Sequence, residues 1–293
     1  MSDFPRTSIE GLSVSRLLIG TNWFLGYSHT SRAKDCLIKQ QMTRPRIAEV
    51  LEVFFRAGVD TIYGVRPESP MLEDAIRDAE DRTGRRCIRM GTPTLDVAPT
   101  QAARDANARM IDGFAAIGCS VCLPHQCATD ALLDRRTRTI REMDVYAAMI
   151  RQRGMIPGLS THMPEAVVYA DESDLDVGTY IQIYNAAGFL MQVEVDWVHR
   201  IIHAARRPVI AIKPLAAGRL LPLVGLAFNW ATLRPQDMVC IGTMTGDEAR
   251  EVVDISLSIL DGHASQLQLQ RTRSKASIEP MKKGPASLEQ PRP

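Results

Sequence analysis

A lysine in the segment AIKPLAAGRLLP, residues 211–222, stands at a position where chemistry is possible. Lys213 ends an apolar run that is typical of a strand, and the loop after it passes through Gly218 to a second basic residue, Arg219. A lysine in this position could bind a phosphate, supply a cation to a neighbouring proton donor, or form a Schiff base if an apolar pocket lowers its pKa. It could also make only a salt bridge, and the residues alone leave all four roles open.

Polar side chains at or near other apolar runs form a second group of candidates. Such residue types transfer protons and bind polar ligands, and they also cap helices and fill turns. The group becomes a predicted site only if the fold brings its members together. They are Asn22, Asp60, Tyr63, Thr92, His125, Ser160, Thr161, His162, Tyr184, Asn185 and Thr243.

Short apolar runs alternate with amphipathic helical stretches along the chain. Helical patterns lie between the runs, and Gly58, Gly118 and Gly154 fit the position just after a helix end. Eight strand–helix units predict an α/β fold, a single-domain (β/α)8 TIM barrel, whose strand ends form one common face. No G-x-G-x-x-G follows an early strand, which disfavours a doubly wound sheet. The runs that predict strands are 16–23, 59–64, 87–94, 120–125, 155–162, 180–185, 209–214 and 238–243.

Composition narrows the class of protein. Hydrophobic residues make up 45% and charged residues 24%, which is typical of a globular domain that buries a full core. The net charge of +1 gives no overall attraction to nucleic acid or to an anionic membrane. No apolar run approaches the roughly 20 residues of a membrane span, and the first residues do not resemble a secretory signal. We therefore expect a cytoplasmic protein with a small-molecule partner, and the sequence does not indicate the oligomeric state.

The last part of the chain differs in texture from the rest. Residues 263–293 are polar, contain proline, and carry more Lys and Arg than Asp and Glu. The sequence therefore predicts a barrel domain over 1–262 and a basic, disordered tail over 263–293.

Two cysteines and a basic run have ordinary structural explanations. Cys119 and Cys122 form a C-x-x-C, but on a strand they would lie about 10 Å apart on opposite faces, which disfavours a disulfide or a shared zinc. The run DRRTRTIRE, residues 134–142, has no interleaved aromatic side chains for base stacking. We interpret it as the solvated entrance of a helix.

Histidine spacing does not predict a metal site. His199 and His203 are i,i+4 neighbours on a helix that should lie outside the barrel, and no H-E-x-x-H is formed. His125 and His162 end neighbouring strands and should converge, but two histidines need a third ligand to bind a metal ion. We expect paired polar or catalytic roles for them instead.

Seven segments in chain order resemble successive strand ends of the aldo-keto reductases. The resemblance implies NAD(P)H-dependent reduction of carbonyl compounds, with the cofactor bound across the barrel mouth and without a Rossmann domain. The segments are VSRLLIGTNWFLG (14–26), AGVDTIYG (57–64), CLPHQCATDAL (122–132), GLSTHMPEAV (158–167), QIYN (182–185), PLAAGRLL (214–221) and IGTMTGDEAREVVD (241–254).

The resemblance also implies roles for single residues. Asp60, Tyr63 and His125 match the aspartate, tyrosine and histidine of the family's proton relay, although Tyr63 stands two residues closer to the aspartate than in the family. The family's lysine on the third strand is missing, because its T-K aligns with Thr92-Pro93. His162 and Lys213 are further candidates for an altered relay.

The predicted cofactor contacts come from the later strands. Ser160 and Thr161 match the pair that binds the nicotinamide amide, and Tyr184 matches the aromatic that stacks on the ring. Thr245 stands where the family places a basic residue for the 2′-phosphate of NADP, so the choice between NADP and NAD stays open. Residues matching the pyrophosphate loop and the eighth strand are Pro214, Leu215, Gly218, Gly242 and Thr243.

Three functions remain open at this point. The first is a carbonyl oxidoreductase with an altered relay, which predicts dinucleotide binding and turnover. The second is a lyase or isomerase that acts on a phosphorylated or keto compound through Lys213, which predicts trapping by borohydride without a dinucleotide. The third is a cofactor-binding protein without catalysis, which predicts binding without turnover.

Overall fold

A two-stranded antiparallel hairpin opens the fold in this computed structural model, which describes residues 3–265. It consists of β1 (Arg6–Ile9) and β2 (Leu12–Ser15), joined by Glu10 and Gly11. Both turn residues have a positive φ, as the tightest hairpin turns require. Ile9 and Val14 pack against the side chains that fill the barrel. The hairpin thus closes the end of the barrel at which the strands begin.

Eight parallel strands form a closed barrel, which confirms the predicted TIM-barrel fold. Each of them lies in one of the eight predicted runs, extended by one residue at three of the boundaries, at Val65, Cys119 and Thr179. The strands after the hairpin are β3 (Leu17–Gly20), β4 (Thr61–Val65), β5 (Ile88–Gly91), β6 (Cys119–Cys122), the short antiparallel pair β7 (Leu133–Asp134) and β8 (Thr139–Ile140) outside the barrel, then β9 (Ile156–Ser160), β10 (Thr179–Ile183), β11 (Val209–Ile212) and β12 (Met238–Ile241).

Helices surround the barrel because each carries an apolar stripe at helical spacing. In the third helix Ile47, Val50, Leu51 and Phe54 are fully buried against the strands. It stops before Gly58, whose φ of 83° is left-handed, as predicted for a residue just after a helix end. The helices are α1 (Asn22–Leu25), α2 (Arg32–Gln41), α3 (Arg44–Arg56), α4 (Pro70–Thr83), α5 (Gln101–Ala116), α6 (Gln126–Leu132), α7 (Met143–Arg151), α8 (Glu165–Glu172), α9 (Val195–Ala204), α10 (Pro222–Thr232) and α11 (Gly246–Leu260), with a 3-10 turn at Ala216–Gly218.

Strand alternation sorts side chains between two apolar layers. Leu18, Met90, Val121, Ile181, Ile210 and Met238 fill the barrel interior. Their strand neighbours, such as Leu17, Tyr180 and Val209, face the helices. Because the period is two, this alternation decides which predicted site residues point into the barrel.

The basic run 134–142 leads into α7, as predicted, with Glu142 at the N-cap of the helix. It also forms the β7–β8 hairpin, and two of its four arginines pair with acidic side chains of α8. Arg135 pairs with Glu165 and Arg138 with Glu172, both at 2.5 Å. These contacts neutralise two of the four arginines of the run.

The cysteines, the barrel boundary, the tail and the membrane spans were also subjects of sequence predictions. All six cysteines are free thiols, so Cys119 and Cys122 form no disulfide. The predicted barrel boundary at 262 lies close to the end of α11, after which the Ser265 hydroxyl donates to Asp254. The predicted tail falls beyond residue 265, apart from its first three residues, and so lies outside the described residues. Within residues 3–265 no helix is both long and apolar enough to cross a bilayer.

Candidate active site

Tyr63 occupies the centre of the barrel mouth. It points inward from β4, and its phenol oxygen lies 3.4 Å from Ser160 Oγ, which comes from β9 on the far side of the barrel. Burial raises the pKa of Tyr63, and hydrogen bonds from Ser160 and Thr92 oppose this rise more weakly, with the charge of Arg66 the smallest contribution. The phenol therefore keeps its proton near neutral pH and can donate it to a ligand oxygen.

His125 follows β6 at the same barrel mouth and offers a second donor. It caps α6, and its Nδ1 accepts the Cys127 backbone N–H and lies 3.0 Å from the Cys127 thiol. A neutral imidazole whose Nδ1 accepts carries its proton on Nε2. Burial lowers the pKa of His125, and the charges of Arg66 and Lys213 lower it further. The ring is thus neutral, with Nε2–H free to donate.

Ser160 and Thr161, the two predicted cofactor contacts at the end of β9, point in opposite directions. Ser160 points inward to Tyr63, but its neighbour Thr161 points outward and is fully buried. Thr161 Oγ1 donates to Asp130 Oδ1 at 2.5 Å, and the same carboxylate accepts the His162 backbone N–H at 3.2 Å. The predicted contact of Thr161 with a nicotinamide is therefore not available, because its hydroxyl holds the turn between β9 and α8.

Tyr184 also faces away from the mouth. Counting by twos from the inward Ile181 places residue 184 on the outer face of β10, and its side chain is only 1% exposed. Its hydroxyl lies 3.1 Å from His199 Nδ1 and 3.1 Å from Thr232 Oγ1, and its ring packs on Phe228. Tyr184 therefore packs in the helix layer, away from the position in which it was predicted to stack on a nicotinamide. His199 is on an outer helix, as predicted.

Asp60 lies at the opposite end of the barrel from Tyr63. It immediately precedes β4, and its carboxylate accepts from Arg6 Nη1 at 2.9 Å and lies 3.6 Å from Arg85. Three residues of strand separate it from Tyr63, a length of about 10 Å. Asp60 is only 6% exposed and anchors the N-terminal hairpin. The structure thus does not bring the predicted Asp60 to the site.

Lys213 follows β11 with a left-handed backbone, φ 58°. This conformation is unfavourable for a side chain with a Cβ. Burial lowers the pKa of Lys213, and its electrostatic neighbour is Cys240, which belongs to the barrel interior. Its ammonium makes no hydrogen bond or ion pair within residues 3–265. The salt-bridge role considered for Lys213 therefore has no partner in the described part of the chain.

The loop after Lys213 has the shape of an anion-binding turn. Ala216, Ala217 and Gly218 are all left-handed, with φ values of 50°, 54° and 86°. Pro214 is buried and α10 packs closely on it, because a Cβ on Gly225 would lie 2.6 Å from the Pro214 carbonyl oxygen. Leu215 accepts the Gly218 N–H and stabilises the turn. The N–H groups of Ala216, Gly218, Arg219 and Leu220 all donate to carbonyls of the same turn, which makes it compact.

The end of β12 completes the rim of the mouth. A Cβ on Gly242 would lie 2.5 Å from Trp23 Cδ1, so the indole covers the strand end closely. Thr243 is buried, and its hydroxyl has no hydrogen-bond partner among the described residues. Such an orphaned hydroxyl fits a polar group of a ligand. At the start of α11, Thr245 accepts the Glu248 N–H and Glu248 accepts the Met244 N–H, while Arg46 donates to the Met244 carbonyl oxygen at 3.2 Å.

Sequence reasoning missed two basic residues at the mouth. Arg66 directly follows β4, and its Nε is buried without a partner among the described residues. His29 lies on a loop between α1 and α2, where its Nε2 is 2.9 Å from Asn22 Nδ2. The strand-end rule could have found Arg66, whereas no local signal marks His29. Within residues 3–265 no group of three or more His, Cys, Asp or Glu side chains is placed to hold a metal ion.

His162 gives this mouth a pH-dependent contribution to stability. Burial lowers its pKa from 6.5 to about 4, and the charges of Lys213, His125 and His29 act in the same direction. As the pH falls below the unfolded value, the unfolded chain binds the proton first, so stability is lost between about pH 6.5 and 4. The loss is about 1–2 kcal/mol, less than a full shift would give because the ring is partly exposed.

The His162→Gln variant should therefore show a flatter dependence of melting temperature on pH over this interval. The exposed His203 provides the matched control, since His203→Gln should keep the steep dependence of the unsubstituted chain. Equal slopes for all three proteins would contradict a buried neutral His162.

Comparisons with known proteins agree with the geometry. No protein-family model and no curated protein matches the sequence. Solved structures do share its fold. A Pseudomonas aeruginosa protein assigned to the aldo-keto reductases has a TM-score of 0.64 at 16% identity and covers 88% of this chain and 97% of its own. A Bombyx mori aldo-keto reductase in complex with NADP has a TM-score of 0.60 at 12% identity, covering 90% of each chain.

A third structure extends the comparison to another animal. The aldose reductase of Schistosoma japonicum has a TM-score of 0.55 at 12% identity and covers 91% of this chain and 89% of its own. Identities this low establish the fold and not the reaction. The chain therefore has the fold of the aldo-keto reductases, in a sequence that has diverged far from theirs.

Proposed function

We propose that the chain is an oxidoreductase that reduces a small carbonyl compound with a nicotinamide dinucleotide. The observation that carries this proposal is the pair of donors at the mouth. The Tyr63 phenol and the His125 Nε2–H lie at the strand ends of the same barrel face. Two neutral donors can bind one carbonyl oxygen and polarise it.

The proposed reaction leaves the proton transfer to Tyr63. Reduction adds a hydride to the carbonyl carbon and a proton to the oxygen, and the bound dinucleotide supplies the hydride. Tyr63 gives its proton to the oxygen, while His125 orients the carbonyl and the Ser160 hydroxyl donates to the phenol oxygen. Since burial raises the Tyr63 pKa and no lysine follows β5 where the family has one, we expect slow proton transfer. Turnover should be flat through neutral pH and fall only at high pH, where the phenol loses its proton.

The residues present fit one half of a dinucleotide better than the other. The Pro214–Gly218 loop and the orphaned Thr243 hydroxyl suit the pyrophosphate side. On the nicotinamide side Ser160 remains, but Thr161 and Tyr184 are engaged elsewhere. These contacts support cofactor binding without a preference for the 2′-phosphate.

The first test is a titration with NADH and NADPH, followed by tryptophan fluorescence and calorimetry. We expect saturable binding at micromolar levels, with NADH bound at least as tightly as NADPH because Asp247 and Glu248 begin α11. Trp23 at the mouth should report binding, so Trp23→Phe should remove the quench and leave the calorimetric signal. The exposed Trp197 supplies the control, since Trp197→Phe should keep the quench.

Each outcome of this titration selects a function. Binding followed by oxidation of NADH in a screen of aldehydes and ketones supports the reductase. Binding without turnover on any carbonyl supports a cofactor-binding protein. No binding up to millimolar dinucleotide excludes both of these functions.

A lyase or isomerase acting through Lys213 is the second candidate. The observation that favours it is a partly buried amine with a lowered pKa and no ion pair among the described residues. Such an amine is a nucleophile for a carbonyl. Irreversible inactivation by borohydride in the presence of a keto compound, with the label on Lys213, would support it.

A further inference from the structure

We propose that the substrate of the mouth is a carbonyl compound that carries a carboxylate or phosphate group, and that Lys213 and Arg66 bind this oxyanion. This inference rests on the proposed function for the carbonyl group of the substrate. The proposal that the substrate also carries an oxyanion rests on the basic side chains and the cleft at the barrel mouth.

The mouth collects basic side chains from separate parts of the chain. Arg66 follows β4, His125 follows β6, His162 follows β9 and Lys213 follows β11, so four strand ends contribute. His29 joins them from the α1–α2 loop, close enough to act on the charge of His162. Their convergence makes an electropositive centre that no single segment of the sequence shows.

Carboxylates do not neutralise this centre. No described carboxylate acts on His125, His162 or Lys213, and Asp35 acts on His29 alone. Asp130 is turned to Thr161 and the His162 backbone. Elsewhere arginines are matched with acids, as in the pair of Arg89 with Glu73. Because the histidines are neutral near pH 7, the cations without an acidic partner among the described residues are Arg66 and Lys213. Two such cations in a partly buried mouth are costly unless an anion binds there.

Lys213 points to the barrel axis and not to the rim. Ile210 and Ile212 face inward, so strand alternation would turn residue 213 outward. The left-handed backbone breaks the alternation. The ammonium is then near enough to Cys240, an interior residue, and to His162 for their charges to act on one another. Strain of this kind persists where a function requires it.

Arg66 approaches the same place from the other side of the barrel. It acts on the His125 ring, as Lys213 does, so the two cations flank this donor. Arg66 and Thr92 line a cleft of about 440 Å³ that also contains Leu25, Met110 and Phe114. Glu68, an exposed residue, lies on the same cleft. The cleft has room for a small substrate, with its charged end at the arginine.

The geometry assigns these cations to substrate and not to the dinucleotide. The loop that matches the family's pyrophosphate segment is Pro214–Gly218, a separate turn that follows Lys213. Lys213 and Arg66 instead flank His125, one of the two donors for the carbonyl oxygen. An oxyanion held there places a neighbouring carbonyl at Tyr63.

The test compares matched substrates that differ by one charged group. The carboxylate arm is 2-oxobutanoate against butanone, and the phosphate arm is glyceraldehyde 3-phosphate against glyceraldehyde, each with saturating NADH. We expect kcat/KM to favour the charged member of at least one arm by roughly 10–100-fold, as for a hydrogen bond to a charged group. The arm with the larger ratio identifies which oxyanion is bound.

Two matched substitutions then locate the effect. Lys213→Met and Arg66→Met should each lower kcat/KM for the charged substrate by roughly 10-fold or more, mainly through KM, with little change for the neutral one. Lys213→Arg should keep most of the preference. Arg56→Met removes an arginine at the far end of the barrel and should change neither ratio. Dissociation constants for NADH should stay constant throughout.

Binding without chemistry separates this inference from the proposed function. Calorimetry with 2-hydroxybutanoate and with inorganic phosphate should show binding of one of them that Lys213→Met abolishes, even if no carbonyl is reduced. Equal kcat/KM for neutral and charged substrates, or no anion binding, would overturn the inference while leaving the reductase intact. Trapping of Lys213 by borohydride, or weaker NADH binding in Lys213→Met, would also overturn it.

Discussion

Replacing Tyr63 by phenylalanine is expected to lower kcat for carbonyl reduction by roughly 10²–10⁴-fold, the usual contribution of a positioned proton donor. The ring keeps its packing in the barrel, and the lost hydrogen bond to Ser160 is a long one at 3.4 Å. Folding and dinucleotide binding should therefore survive. Single-turnover oxidation of bound NADH, measured at saturating substrate, isolates the chemical step.

A second tyrosine on the same fold provides the control for this substitution. Tyr184→Phe removes a hydroxyl that contacts His199 and Thr232 in the helix layer. It should cost about 1 kcal/mol of stability and leave kcat and NADH binding unchanged. If Tyr184→Phe lowered NADH affinity and Tyr63→Phe left kcat unchanged, the assignment of inward and outward residues on these strands would be wrong.

Asp60 should behave as a structural residue despite its resemblance to a catalytic aspartate. Asp60→Asn removes the charge that holds Arg6 and Arg85 against the barrel floor. We expect a loss of about 2 kcal/mol in the free energy of unfolding, since hydrogen bonds to charged groups are lost from a nearly buried carboxylate. The melting temperature should fall by about 4–8 °C for a domain of this size.

The kinetic readout distinguishes this role from catalysis. Per folded molecule, kcat and its pH profile should stay unchanged in Asp60→Asn. Asp74→Asn, which removes an exposed partner of Arg44, should change stability by less than about 1 kcal/mol. A large fall in kcat with normal stability would place Asp60 in the active site and contradict the position seen here.

In the proposed reductase, the absence of a lysine just after β5 affects the proton transfer by Tyr63. Burial makes the Tyr63 phenol hold its proton more tightly, and the described cation that opposes this is Arg66, which directly follows β4. Catalysis then depends more on orienting the substrate than on an acidic phenol. Binding an oxyanion at Lys213 and Arg66 would supply that orientation from a part of the substrate that does not react.

Local patterns determined the fold and half of the site. Eight apolar runs separated by helical stretches identified every barrel strand, because burial on both faces of a parallel sheet demands such runs. Strand ends that carry His125, Ser160, His162 and Lys213 followed from the same pattern, since all strands end on one face. The sequence also indicated Tyr63 as an inward donor through its strand and its resemblance to the family.

Tertiary structure alone decided which side chains serve the site. Thr161 and Tyr184 lie near strand ends but one step out of phase with the interior, so their hydroxyls belong to the outer layer. Asp60 lies just before the first residue of β4, whereas Tyr63 lies inside the strand. The sequence does not define the first residue of a strand to within one position, so it did not predict that the two side chains would be apart. The cationic centre exists because closing the barrel brings strand ends and the α1–α2 loop together, and contacts between residues so distant in the chain leave no local pattern to read.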